Sequence, residues 1–227
     1  MDRYKLYRIS ASFFVAFFIV NFAVLVLSRL DFIHEKSYKA YYQAMITEEE
    51  GTKEKQEGIL LSPFEAGLNY QKLSDEFNSF FGSDFAFEGY DISKDNVKAL
   101  KELKTHYRWA YFFSIVSFVA MIYCFGYLHK RRQYMPLLYG GAIATFFTVI
   151  NFVRICFAKE GVLLGIKNMI FHRRYDYFGD GDIMRSLLPP EYAMYLGIAY
   201  LAIVAILVLI FAIIKAVIIY CGRPHKF

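Results

Sequence analysis

Four apolar windows decide what this chain can fold into. They run over about Ile9–Leu30, Trp109–Leu128, Pro136–Phe157 and Ala193–Ile219. Each is long enough to cross roughly 30 Å of hydrocarbon, which takes about 20 apolar residues. Backbone amides inside a bilayer must bond within their own segment, so windows of this length are expected to be helices. The chain as a whole is 57% hydrophobic with mean hydropathy +0.31, too apolar for an ordinary soluble domain. The expectation is an all-α membrane protein with four transmembrane helices. Residues 1–227 then form a single integral membrane domain, with no linker between soluble domains and no internal repeat. The first window is expected to persist as a span. It ends in Ser28-Arg29-Leu30-Asp31 and lacks the small-residue box of a cleaved signal.

Charge sets the expected orientation. Arg3, Lys5 and Arg8 precede the first window, His129-Lys130-Arg131-Arg132 joins the second to the third, and Lys215, Arg223 and Lys226 end the chain. Positive loops favour the cytoplasm, so both termini are expected inside and residues 31–108 and 158–192 outside. The net charge of +5 is thereby accounted for by membrane orientation and gives no reason to expect a nucleic-acid partner. The cysteines Cys124, Cys156 and Cys221 each stand alone in or at the end of a window, without a C-x-x-C pair. They are expected to be small buried packing residues, and neither thiol redox chemistry nor a zinc cage is expected. No cofactor is implied.

Within the first window Asn21 is the one strongly polar interior residue and is expected to meet another helix. The first outer segment should be mostly helical. Tyr38, Tyr41, Tyr42 and Met45 recur at helical spacing within 34–58, a face that can lie on protein or on lipid headgroups. Ser62-Pro63 has the cap-then-proline signature of a helix start, and the stretch that follows, Leu68 to Phe81, has Leu68, Leu73, Phe77 and Phe80 or Phe81 as its apolar residues. Residues 83–89 alternate and end in glycine, which suits a short strand or hairpin. Ser93 is expected to cap a further helix whose stripe of Val97, Leu100, Leu103 and Tyr107 runs without a breaker into Trp109. In the third window Gly140-Gly141 permits close helix contact, and Arg154 near its outer end either snorkels to a lipid phosphate or anchors a substrate.

Chemistry is concentrated in residues 170–192. This connection packs a histidine, three arginines and several aspartates among aromatic rings, as expected of a segment pressed on a membrane surface. Acyl transfer needs a base, an acid for the leaving oxygen and donors for the oxyanion. His172 can serve as base, and Asp176, Asp180 or Asp182 can orient its imidazole. Tyr175 or Tyr177, with Arg173 or Arg174, can stabilise developing negative charge. His106, in the His106-Tyr107-Arg108-Trp109 belt, can converge on His172. No G-x-S-x-G, H-E-x-x-H or Walker motif is present, so a serine hydrolase, a zinc protease and an NTPase are unsupported.

These residues resemble a family. Phe171-His172-x-x-Tyr175, followed by Asp182-Ile183-Met184-Arg185-Ser186-Leu187-Leu188-Pro189-Pro190-Glu191-Tyr192, is similar to the second outer loop of the lipoprotein intramolecular transacylases. Asn96-Val97-Lys98-x-Leu100, with Arg108-Trp109 following, resembles their first loop, and Ser37-Tyr38-x-x-Tyr41-Tyr42 their tyrosine-rich beginning. The resemblance implies a four-span protein of the bacterial cytoplasmic membrane. It implies transfer of an acyl chain from the glycerol ester of a diacylated lipoprotein to the lipoprotein's own N-terminal amine, giving the lyso form. Its partners would be that lipoprotein, or phospholipid. Implied site residues are His172, with His106 and Asp176, for catalysis, and Arg154, Arg173, Arg174, Tyr175, Asp182, Ser93, Asn96 and Trp109 for binding. The chain departs from the family at Ser93, where the family has a histidine, and at Asn96, where it has an aspartate. A non-catalytic lipid- or lipoprotein-binding subunit of the same fold is the alternative.

Overall fold

The structure is a computed structural model that describes residues 3–51, 61–79, 85, 92–156, 184, 187–188 and 190–221. Among them are six helices: α1 (Arg3–Leu27), α2 (Asp31–Gly51), α3 (Pro63–Asn78), α4 (Lys94–His129), α5 (Met135–Cys156) and α6 (Pro190–Cys221), with no strand. The expected strand or hairpin at 83–89 lies outside the described residues except for Phe85. Four helices, α1, α4, α5 and α6, are long and apolar enough to cross a membrane, close to the windows read from hydropathy. The chain divides into two compact units. One holds residues 1–26, 109–153 and 199–227, the other 27–108 and 154–198.

The first unit is apolar. Its large side chains point outward as well as inward, with Phe13, Phe17, Ile122, Phe146, Ile206 and Leu209 all exposed, as lipid-facing helices require. Buried Ala11, Cys124 and Leu128 pack with Tyr4, Tyr7, Phe14 and Phe125. Cys221, by contrast, is exposed rather than a packing residue. Asn21 Nδ2 donates to Phe17 O in its own helix at 2.7 Å. The turn after α4 is a Schellman motif, in which Gln133 N–H reaches Leu128 O (3.2 Å) and Arg132 N–H reaches His129 O (2.9 Å). That motif needs a left-handed residue, and Arg132 fills the place at φ 51°. Beside it the Arg131 guanidinium lies 3.7 Å over the Tyr4 ring.

Gly140 brings α1 and α5 together. A Cβ at this position would stand 2.5 Å from Val15 Cβ and 2.7 Å from Ser12 O, so only a hydrogen side chain fits. Neither atom can swing away, because one is backbone and the other is joined directly to it. Gly140→Ala is therefore expected to lower thermal stability in detergent by roughly 1–3 kcal/mol, the range for overpacking. Gly141→Ala should cost clearly less, since the nearest atoms its Cβ would meet belong to the Val208 side chain, Cγ1 at 3.0 Å and Cγ2 at 3.4 Å, and that side chain can yield. Equal stability of the two variants would contradict the close approach.

The second unit has the make-up of a small soluble core. Tyr38, Leu61, Ala66, Leu73, Phe85, Leu100, Met184 and Leu187 are buried together. α3 begins with the expected cap, elaborated into a capping box: Glu65 N–H reaches Ser62 Oγ at 3.3 Å and Ser62 N–H reaches Glu65 Oε2 at 3.0 Å. The inward face of α3 is Ala66, Asn69, Tyr70, Leu73 and Phe77, at helical spacing. Leu68 falls about 200° round the helix from Ala66 and is exposed. Lys104 of α4 is 2% exposed, and its Nζ donates to Glu76 Oε1 (2.8 Å) and Ser79 Oγ (3.0 Å).

Candidate functional site

The residues singled out by sequence fall into three groups. His172, Arg173, Arg174, Tyr175, Asp176 and Asp182 lie outside the described residues. Arg154 belongs to the last turns of α5, of which only the backbone is described there. Ser93, Asn96, His106 and Trp109 are on or just before α4, where their surroundings are defined.

Ser93 is a helix cap. Its Oγ accepts the Asn96 N–H at 3.2 Å, and its carbonyl accepts the Val97 N–H at 3.1 Å. Asn96 is 1% exposed and so belongs to the interior of its unit. His106, one side of α4 further on, is exposed, and its Nδ1–H donates to Glu102 O at 2.8 Å. That bond fixes the tautomer and leaves Nε2 as the basic nitrogen. Trp109 is 53% exposed and stacks on Phe113 at 5.5 Å. An exposed indole beside phenylalanines suits an interfacial anchor. Among the described residues no group of three His, Cys, Asp or Glu side chains is arranged to hold a metal ion.

Among the described residues one tightly enclosed polar group is not marked as functional by sequence patterning. His34, on α2, is 1% exposed. Its ring lies parallel to Tyr70 of α3, with centroids 3.7 Å apart and planes 7° apart. Tyr38, one turn along α2, is 5.8 Å away, and Tyr192 of α6 meets the ring edge-on at 5.6 Å. The two partner tyrosines are joined, hydroxyl to hydroxyl, at 2.8 Å. The imidazole Nε2–H donates to Leu187 O at 2.7 Å. A carbonyl only accepts, so this ring carries its proton on Nε2. Burial disfavours the charged ring and pushes its pKa down to about 4, against the opposing pull of the Leu187 carbonyl and of Asp31. Burial likewise raises the Tyr70 and Tyr192 hydroxyls, so both stay protonated at neutral pH.

A chain of polar side chains leads away from this pocket. Ser74 Oγ donates to Asp31 Oδ1 (3.0 Å), Asn78 Nδ2 to Ser74 Oγ (3.4 Å), and Tyr107 Oη to Asn78 Oδ1 (3.2 Å). Ser28 Oγ completes it by donating to Tyr107 Oη at 3.0 Å. The chain ties α2, α3 and α4 to one another within the unit.

No family model and no curated protein matches the chain. Solved structures do. The membrane integral lipoprotein intramolecular transacylase Lit from Bacillus cereus superposes with TM-score 0.80 over 97% of this chain and 97% of its own, at 15% identity. Two variants of that protein, each with one histidine replaced, match with TM-score 0.79 over 97% of this chain. They cover 93% and 95% of their own lengths, at 15% and 16% identity. The chain thus has the fold of that transacylase, as the loop motifs led one to expect, across an identity too low for sequence comparison to register.

Proposed function

We propose that this chain catalyses intramolecular O-to-N acyl transfer on a diacylated lipoprotein, at the outer face of the bacterial cytoplasmic membrane. The lipoprotein's α-amine attacks the glycerol ester carbonyl. The C–N amide bond forms, the C–O bond to glycerol breaks, and the amine proton passes to the glycerol oxygen. Amine and ester belong to one molecule, so proximity alone can supply up to about 7–11 kcal/mol in well-oriented cases. One imidazole that accepts a proton and returns it then suffices, and His172 is assigned that role from its motif. The observation that carries the reading is the likeness of fold to a transacylase over nearly the full length of both chains.

The experiment is mass spectrometry of a host lipoprotein's N-terminal peptide, with and without this protein, in cells lacking other N-acylating enzymes. An N-acylated lyso-form peptide that depends on the protein is the expected result. No such peptide would sink the reading. The second reading, a non-catalytic lipid- or lipoprotein-binding subunit, would then gain. One observation favours it: Ser93, where the family has a histidine, is engaged as a helix cap.

A further inference from the structure

We propose that His34 is a positioning residue for the second outer segment: its neutral imidazole holds the Leu187 carbonyl and so fixes the backbone through which that segment joins α6. The catalytic consequence rests on the function proposed above, whereas the clamp itself rests on geometry.

The local chain explains why a side chain is needed. Pro189 and Pro190 carry no N–H, so the carbonyls just before them have fewer backbone donors than usual. The Leu188 N–H is already given to Met184 O at 2.9 Å. Leu187 O is buried and finds its donor on α2, in His34 Nε2–H. The ring has little freedom to turn away. Tyr70 covers a face, Tyr192 meets the edge, and the hydroxyl pair between those two tyrosines links them. At 1% exposure the imidazole does not reach a substrate, so any effect on the reaction passes through the backbone it holds.

The enclosed pocket, rather than the hydrogen bond, favours the uncharged ring: an imidazolium would still donate Nε2–H to Leu187 O, but its charge would be buried. Among the described residues the ionisable groups around it are Asp31 and Tyr38 from α2, Tyr70 from α3 and Tyr192 from α6, while Met184, Leu187 and Leu188 bring none. Asp31 is the sole acid among these, and it is engaged by Ser74. The folded-state pKa, at about 4, lies below the ordinary 6.5. The clamp's contribution is therefore complete above pH 6.5 and is lost as pH falls toward 4, because an imidazolium must find water and the pocket has to open to supply it.

The test is amide hydrogen exchange of the peptide covering residues 184–192 in the full-length protein, combined with acyl-transfer kinetics. His34→Phe keeps a stacking ring and loses the donor. His34→Gln keeps a donor and does not titrate. Wild type should show exchange, corrected for intrinsic rates, rising about fivefold over the first pH unit below 6.5. His34→Phe should exchange fast already at pH 7, and His34→Gln should be slow and insensitive to pH. In acyl transfer, His34→Phe should lower kcat with KM little changed, and His34→Gln should restore most of the loss. Protection of 184–192 in His34→Phe equal to wild type overturns the clamp. Fast exchange with undiminished kcat overturns the positioning role. If wild type makes no N-acyl product, the proposed function falls, and the exchange results still decide the clamp.

Discussion

His172→Gln is expected to reduce N-acylated lipoprotein by about 100-fold or more, the scale of losing a general base. An α-amine has a pKa of about 7.7–8.0, so near neutral pH it is largely an ammonium that must shed a proton to attack. A neutral imidazole with an ordinary pKa of about 6.5 accepts that proton and, once charged, returns it to the leaving glycerol oxygen. Glutamine keeps comparable size and hydrogen bonding and can do neither. His106→Gln is the informative companion. His106 Nδ1–H is committed to Glu102 O at 2.8 Å, which orients Nε2 for acceptance. A loss at His106 as deep as at His172 would mean that it has taken over the task of the histidine replaced by Ser93. Product measured by mass spectrometry at wild-type level in His172→Gln would remove His172 from the site without touching the fold.

Glu76→Leu is expected to destabilise the protein by about 3–5 kcal/mol, the cost of leaving a buried charge without its partner. Lys104 is 2% exposed and Glu76 23%, and their Nζ–Oε1 distance is 2.8 Å. Without the carboxylate, the Lys104 ammonium keeps, among the described residues, Ser79 Oγ at 3.0 Å and the Phe85 ring at 5.9 Å. The reverse deletion, Lys104→Met, should be milder. Its thioether fills the space of the lysine stem, and the half-wet carboxylate can turn to water. The double variant Glu76→Leu/Lys104→Met should regain most of what Glu76→Leu loses. Thermal unfolding of the four proteins in one detergent measures the cycle. Glu76→Leu no worse than Lys104→Met would show that water reaches the ammonium.

The spans were legible because length and hydropathy are properties of one segment at a time, and a bilayer leaves a segment few alternatives. The start of α3 was legible for a related reason: Ser62, Pro63 and Glu65 make their bonds within four residues of one another. The continuity of α4 from Ser93 past Trp109 showed in the absence of any breaker. His34 was not legible. Its tyrosine partner on α3 is Tyr70, while Leu187 and Tyr192 lie more than 150 positions away, and no local periodicity encodes such a meeting. The run Tyr38, Tyr41, Tyr42 did signal a face that packs, and Tyr38 is indeed buried, with its hydroxyl on Leu61 O at 2.8 Å. What it could not signal was that His34, one turn before Tyr38 on that face, meets Leu187 and Tyr192. Leu68 shows a simpler point: hydropathy names apolar residues, whereas the angle around the helix chooses which of them go inside.

The separation of 153 residues between His34 and Leu187 also sets a timetable for the newly made protein. At ribosomal speeds of about 5–20 residues per second, the imidazole waits roughly 10–30 s for the carbonyl that completes its pocket. For most of that interval Tyr38 and Tyr70 are already synthesised, while Tyr192 is not. A chain that stalls after α5 leaves a water-accessible, ordinary histidine among half-packed tyrosines, a surface open to quality-control proteases. Closure of that pocket becomes possible only once translation has passed Tyr192, so it reports that the first and last segments of the polypeptide have both been delivered.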